Sequence, residues 1–516
     1  MYGVSQADAA AAPADPDALD RETMVVAAVV LLGAIMSILD TTIVNVAIDK
    51  LSIDFNASLT TIQWVVTGYT LALAAVIPAT GWAADRFGTK RIYMSSLVLF
   101  MVGSALCAVA WSAGSLIAFR VLQGVGGGMI MPAVMTIMTK KAGPHRMGRV
   151  MGILGVPMLV APIIGPILGG WLVDDVSWRW IFLINVPIGI IAVILAQIVL
   201  EKDTPEPSQK LDWLGMALLS PGLTLFIFGL AESADGGFGQ FKSWAPILAG
   251  VVLIATFFAH SWRKGGGALI DIKTFTHTRA GAAAGVFILF AIAFFGALLL
   301  MPLYFQTVRG ASALEAGLLL APQGIGAMIT MPLAGKLTDK HGPNYWPACG
   351  IPLLVIGIAP FAFVTAHTSY VLLCGFGFIL GLGMGFSMMP TMTAAMQAVP
   401  AAAIARTSTA MNIIRQGGAS IGTAILSVIL TAYITTNLGH SGGLSSVREA
   451  SPAQLAAAKE PLASSFASTF VWALVMLGIA FIPALFMALG KWKTAAADGG
   501  GTAGNAAPEN APALVE

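Results

Sequence analysis

Gly81-Trp82-Ala83-Ala84-Asp85-Arg86-Phe87-Gly88 returns in the second half of the chain as Gly335-Lys336-Leu337-Thr338-Asp339-Lys340-His341-Gly342. Both read G-x-x-x-D-[R/K]-x-G, and each closes a long apolar run in a short charged loop. Duplicated helical bundles with a site at their interface are the common plan of secondary transporters. Working outward from these two stretches, runs of about 20 mostly apolar residues, enough to cross a bilayer, fall at 24–48, 60–83, 91–111, 114–138, 148–172, 180–200, 211–231, 244–262, 279–303, 314–335, 345–365, 369–391, 407–434 and 466–489. If each octapeptide ends the second helix of a six-helix unit, the units are 24–200 and 279–490, with two inserted helices at 201–278. The predicted fold is all-α and integral to the membrane: two six-helix bundles plus two inserted helices, 14 transmembrane helices in all.

Composition agrees with a membrane protein. Of 516 residues, 57% are hydrophobic and 10% charged, against about 25% charged in a soluble domain. An even number of spans puts both termini on one side, and Lys and Arg choose that side. With the termini inside, 19 of the 27 Lys and Arg residues fall on inner loops and tails and six outside, while Arg120 and Arg415 lie in the membrane. A multi-pass protein of the cell membrane is predicted, with cytoplasmic tails at 1–23 and 491–516 and the longest loop, about 435–465, outside. Cys107, Cys349 and Cys374 lie in apolar runs at unrelated spacings and read as small buried side chains, with no disulfide framework. There is no G-x-S-x-G, H-E-x-x-H or Walker loop, so no enzyme, cofactor or metal is expected. No nucleic-acid partner is expected either. A monomer in the lipid bilayer is, with an outer-envelope partner protein left open.

The charges at membrane depth carry the function. Asp40-Thr41-Thr42-Ile43-Val44-Asn45 lies near the end of the first span. An Asp at a helix centre costs about 2.5–3.5 kcal/mol on insertion scales, which makes an intramembrane acid a functional candidate. Asp40 is roughly 12 Å from the outer end of its span, and Arg120, on a span running the other way, roughly 9 Å from its own. A conformation bringing Arg120 to Asp40 favours the carboxylate and expels its proton, and desolvation without that contact favours the protonated acid. The alternative is a static ion pair that only fixes packing. Gln123, one turn below Arg120, can share its hydrogen bonds. Gly124, Gly126, Gly127 and Gly128 follow in the same helix and let a neighbour or a substrate come close.

Gating candidates are Asp85, Arg86, Arg91 and Asp339 around the two charged loops, and Gly165, Pro166 and Gly169 in the fifth span. The first set can latch helix ends together; the second offers a GxxxG face beside a kink. The substrate path should be apolar. Its candidates are Asn45, Trp64, Tyr69, Gln123, Phe294, Phe295, Gln323, Phe386 and Met388. Met384, Met388, Met392 and Met396 recur every four residues on one helix face, and methionine suits an adaptable surface. Arg415, with Asn412 and Gln416, makes a polar patch in the second half. It either orients substrate, pairs with helix-end carbonyls, or snorkels to the interface.

Taken in order, these motifs resemble the fourteen-span drug:proton antiporters of the major facilitator superfamily, the EmrB/QacA-like group, over roughly residues 24–490. The loop motif is matched by Gly81, Asp85, Arg86, Gly88, Lys90 and Arg91, with Ala83 in place of the usual Leu. The first-helix motif is matched by Leu39 to Ala47, with Ile48-Asp49 where Leu-Pro is usual. Arg120-Val121-Leu122-Gln123-Gly124-Val125-Gly126-Gly127-Gly128 is similar to the fourth-helix motif, and Gly165-Pro166-Ile167-Leu168-Gly169-Gly170 to the antiporter motif. The stretches Trp178 to Gly189 and Leu211 to Gly215 are similar to further marks of the fourteen-span branch. The resemblance implies a major facilitator fold and proton-coupled multidrug efflux by alternating access, with small molecules and protons as partners. A dedicated exporter of one endogenous lipid, siderophore or antibiotic is the second reading, and a channel the third.

With Asp40 the one acid well inside the membrane, one proton per cycle is expected. A pH difference of one unit then supplies about 1.4 kcal/mol, and 100 mV adds about 2.3 kcal/mol per charge moved. Exchange of one proton for a monovalent cation is electroneutral and uses the pH term alone. Cation export should therefore be insensitive to voltage at fixed pH; a voltage response in proteoliposomes clamped with potassium and valinomycin would contradict the one-proton scheme.

Overall fold

The computed structural model describes residues 20–143, 146–202, 205, 210–236, 238–276, 279–400, 403–438 and 452–490. Among them the secondary structure is helical throughout, with no strand. Fourteen long helices run in order: α1 Arg21–Ile43, α2 Leu59–Phe87, α3 Thr89–Ala108, α4 Ala113–Ala142, α5 Met147–Trp171, α6 Asn185–Val199, α7 Trp213–Gly236, α8 Phe241–Lys264, α9 Arg279–Thr307, α10 Ala313–His341, α11 Trp346–Ile358, α12 Tyr370–Gln397, α13 Ile404–Leu438 and α14 Pro452–Leu489. Thirteen segments of the described residues are long and apolar enough to cross a membrane. The fifth expected span, 148–172, coincides with α5, several of whose side chains lie outside the described residues. Of the predicted tails, residues 1–19 and 491–516 also lie outside them, while residues 21–23 of the expected 1–23 already belong to α1.

Local chemistry sets the helix ends. The side chains of Asp20, Ser58, Ser112 and Ser312 cap α1, α2, α4 and α10, and those of Ser112 and Ser312 close reciprocal capping boxes. Such caps satisfy orphan amide N–H groups at a helix start. The final glycine of each octapeptide ends its helix at positive φ, Gly88 at 98° and Gly342 at 79°, a region open to Gly and costly for other residues. The two charged loops of the sequence reading are therefore the last turns of α2 and α10, and Asp85, Arg86 and Asp339 are helical. The loop expected at about 435–465 is also shorter, because α13 runs on to Leu438 and α14 starts at Pro452. Of the cysteines, only Cys107 is buried; Cys349 is exposed and Cys374 half-buried. Large apolar side chains such as Ile198, Trp213, Val371 and Phe486 are exposed, a surface suited to lipid.

Helices α1 to α6 pack among themselves, as do α9 to α14. The two groups meet through α2 with α13, α4 with α13, α5 with α10, and α5 with α12. Helix α7 packs on α8 and also touches α2 and α13, so it lies along the seam. The contacts between groups cluster on the face that carries the octapeptides. There Gly148 of α5 and Gly335 of α10 meet backbone to backbone, and a Cβ on Gly81 would lie 2.9 Å from Thr409 Oγ1 and 3.2 Å from the Ala405 carbonyl oxygen. Lipid tails are as apolar as Leu, so small residues that let backbones approach are what hold membrane helices together.

A side chain at Gly335 would run into the Gly148 carbonyl oxygen and should wedge α5 from α10. Ser408, fully buried on α13 with its hydroxyl 3.4 Å from the Pro132 carbonyl oxygen, reports the opening. In a Ser408→Cys chain lacking native cysteines, Gly335→Val should raise labelling by a charged thiol reagent severalfold; unchanged labelling would show that the contact does not hold this face shut.

Candidate functional site

Asp40 is wholly buried, and the structure surrounds its carboxylate with donors. Arg120 Nη1 lies 2.5 Å from Oδ2, Gln123 Nε2 donates to Oδ1 at 2.8 Å, and Asn185 Nδ2 donates to Oδ1 at 3.2 Å. The guanidinium is held in turn: Nε donates to the Val65 carbonyl at 3.1 Å and Nη1 to Gln123 Oε1 at 2.7 Å. Arg120 Cζ also sits 4.1 Å from the centre of the Tyr69 ring, a cation–π distance. Sequence reasoning missed Asn185. Its Nδ2 also donates to Ser104, whose hydroxyl donates to the Phe182 carbonyl at 2.8 Å. The available signal was an amide in the otherwise apolar run from Ile181 to Val186.

Beside this cluster lies a cavity of about 450 Å³ between the two helix groups. Ser37, Thr41, Tyr69, Gly127, Gly128 and Met131 line one side; Phe294, Phe295, Gln323, Met384, Met388, Asn412, Arg415 and Gln416 line the other. It reaches Leu314 and Gly317 at the end of α10 remote from Gly335. Asp40, Arg120 and Gln123 stand behind its wall. Of the expected path residues, four do not line it: Gln123 belongs to the Asp40 cluster, and three lie elsewhere. Asn45 is exposed, its amide donating to the Thr41 carbonyl. Trp64 turns outward, its ring 5.7 Å from Phe228 of α7, and Phe386 stacks on Trp346 at 5.7 Å. Of the methionine row, Met392 and Met396 are buried in the core away from the cavity.

The octapeptide acids face helix starts of the opposite group. Asp339 Oδ1 accepts from the Gly148 amide at 2.7 Å and Oδ2 from the Arg149 amide at 3.0 Å. This carboxylate sits at the N-terminus of α5, where the helix dipole adds about 0.3–1 kcal/mol. Its repeat-mate Asp85 lies 3.5 Å from Arg406 Nε in the first turn of α13. Arg86 is half-buried in the last turn of α2, and Arg91 is exposed at the start of α3. Gly165 and Gly169 pack on Thr42 and Ile43 of the first helix, so the GxxxG face joins α5 to α1 within one group. The side chain of Pro166 lies outside the described residues. No cluster of metal-ligating side chains occurs among the described residues.

A family model described as Major Facilitator Superfamily matches residues 30–423. The chain belongs to this superfamily. It is a multi-pass membrane transporter and not an enzyme. Among similar proteins is the multidrug resistance protein B homolog of Mycobacterium tuberculosis, 45% identical over 81% of this chain and 78% of the relative. Another is the probable actinorhodin transporter of Streptomyces coelicolor, 32% identical over 78% of this chain and 71% of the relative. A solved structure of the proton:xylose symporter XylE superposes with a TM-score of 0.58 at 15% identity, covering 90% of this chain and 95% of that one. That likeness speaks for the fold of this facilitator alone.

Removing one member of a buried ion pair costs about 3–5 kcal/mol because the other charge is left uncompensated. In this transporter Arg120→Gln should lower the unfolding temperature in detergent, and Asp40→Asn added to it should recover part of the loss. Additive losses in the double-mutant cycle would show that the two charges are not coupled.

Proposed function

We propose that the transporter is a proton-coupled antiporter that exports hydrophobic and amphipathic small molecules by alternating access, with Asp40 as the titrating acid. The observation that carries this reading is the buried carboxylate, held by Arg120, Gln123 and Asn185 one layer behind an inter-group cavity. Such a group has two low-energy forms: a carboxylate paired with the guanidinium, or a protonated acid released from it. The multidrug resistance name of the Mycobacterium relative supports the substrate class.

In this reading residues 24–200 and 279–490 are the two rocking bundles of a fourteen-span, EmrB/QacA-like facilitator, and 201–278 is an inserted pair. The octapeptide face and both termini are then cytoplasmic in a cell whose plasma membrane holds the protein, a reading that the excess of Lys and Arg supports. The closed face is then the inner gate, latched by Asp85 and Asp339, and the cavity faces outward. A second reading, a dedicated exporter of one endogenous antibiotic, is favoured by the name of the Streptomyces relative.

Dye efflux from proteoliposomes under an imposed pH gradient tests the proposal. The native chain should pump, and Asp40→Asn should lose pumping while still binding dye. Equal pumping by both would assign the proton to another group.

A further inference from the structure

The walls of the inter-group cavity carry one charge among the described residues, and it is positive. Arg415 lies about eleven residues into α13, roughly 16 Å from the start of that helix, farther than its own side chain extends. Among the described residues it makes no hydrogen bond or ion pair. A cation at membrane depth without a partner is costly, and such groups mark substrate or ion pathways. Among the described residues no helix-end carbonyl takes it up, against that reading of the sequence.

Its surroundings are polar on one side and apolar on the other. Gln416 follows it on the cavity wall, and Asn412 uses one amide N–H on the Ser408 carbonyl at 3.0 Å, leaving the second. Gln323, 5% exposed, has a side-chain oxygen with no partner. Phe294, Phe295, Met384 and Met388 supply an adaptable apolar wall. Asp40 is fully buried and already bound by three side chains.

We propose that Arg415, assisted by Gln416 and Asn412, is a subsite for the acidic head group of an amphipathic organic anion whose apolar body lies against the phenylalanines and methionines. The cavity volume of about 450 Å³ lies within the roughly 300–1,000 Å³ of drug-sized sites. A guanidinium binds carboxylate, sulfonate or phosphate by paired charge-assisted hydrogen bonds, whereas a cationic ligand finds no acid on the wall and meets a like charge. The assignment rests on the exporter reading and names its substrate class.

Equilibrium binding tests it without requiring transport. The probes are tritiated anilinonaphthalene sulfonate and its uncharged parent phenylnaphthylamine, bound to the purified full chain in uncharged detergent against protein-free blanks. Arg415→Gln should lower the affinity for the sulfonate relative to the parent by at least about tenfold, the scale of one charged hydrogen bond, and Arg415→Lys should retain part of the preference. An unchanged ratio, or equal loss of both probes, overturns the subsite and leaves the exporter reading standing. Binding of neither probe by the native chain defeats the exporter reading and the subsite with it.

Discussion

An aspartate and an arginine in contact at the heart of an apolar bundle impose the rest of this architecture. Each would be expensive in lipid alone, so both must be buried in protein, and every remaining lone pair and N–H near them needs a partner. Gln123, Asn185, the Val65 carbonyl and the Tyr69 ring supply those partners from three different helices. These helices, α2, α4 and α6, are tied to α1 at one depth by this cluster. Contacts so closely shared restrict the packing, and loss of any one of them is felt by the others. A proton on Asp40 would break it at its centre, because a neutral acid cannot compensate the guanidinium.

The two octapeptides apply the same logic at one face. Each acid ends a helix of one group and meets the first turn of a helix in the other, Asp85 against α13 and Asp339 against α5. The glycine four residues before each acid lets the same two helices touch. The interaction is polar and short, so it can be made or lost by a small rotation, whereas the apolar interior of each group resists such change. Stiff groups joined by breakable contacts are the physical requirement for rocking about a central cavity.

Much of this was legible in the sequence because membrane burial restricts what a residue can be. Asp40 and Arg120 stood out as charges within apolar runs, and counting residues placed them at one depth. The repeat around Asp85 and Asp339 showed which helix ends correspond. Side-chain direction was not legible. A transmembrane helix is apolar all round, so Trp64 and Phe386, facing away from the cavity, carry no pattern that separates them from Phe294 and Phe295, facing it. Asn185 escaped because an amide costs less in a helix than a charge. The glycines of α5 were legible as a packing face, but their partner, Thr42 and Ile43 of α1, depends on which helices neighbour each other.

The separation of Asp40 from the cavity wall constrains how a proton and a ligand can be linked. A ligand in the cavity does not touch the carboxylate in this conformation, so simple competition for one charged group is not available here. Linkage under the proposed cycle must run through position: Asp40 shares α1 with Ser37 and Thr41, which do line the cavity, and Arg120 shares α4 with Gly127 and Gly128, which do as well. A ligand that shifts α1 against α4 changes the distance between the two charges, and protonation that frees Arg120 changes the freedom of those helices to shift. By linkage, the free energy of the first effect equals that of the second. The charge of the ligand is then read at Arg415 on the other group, and the charge of the proton at Asp40.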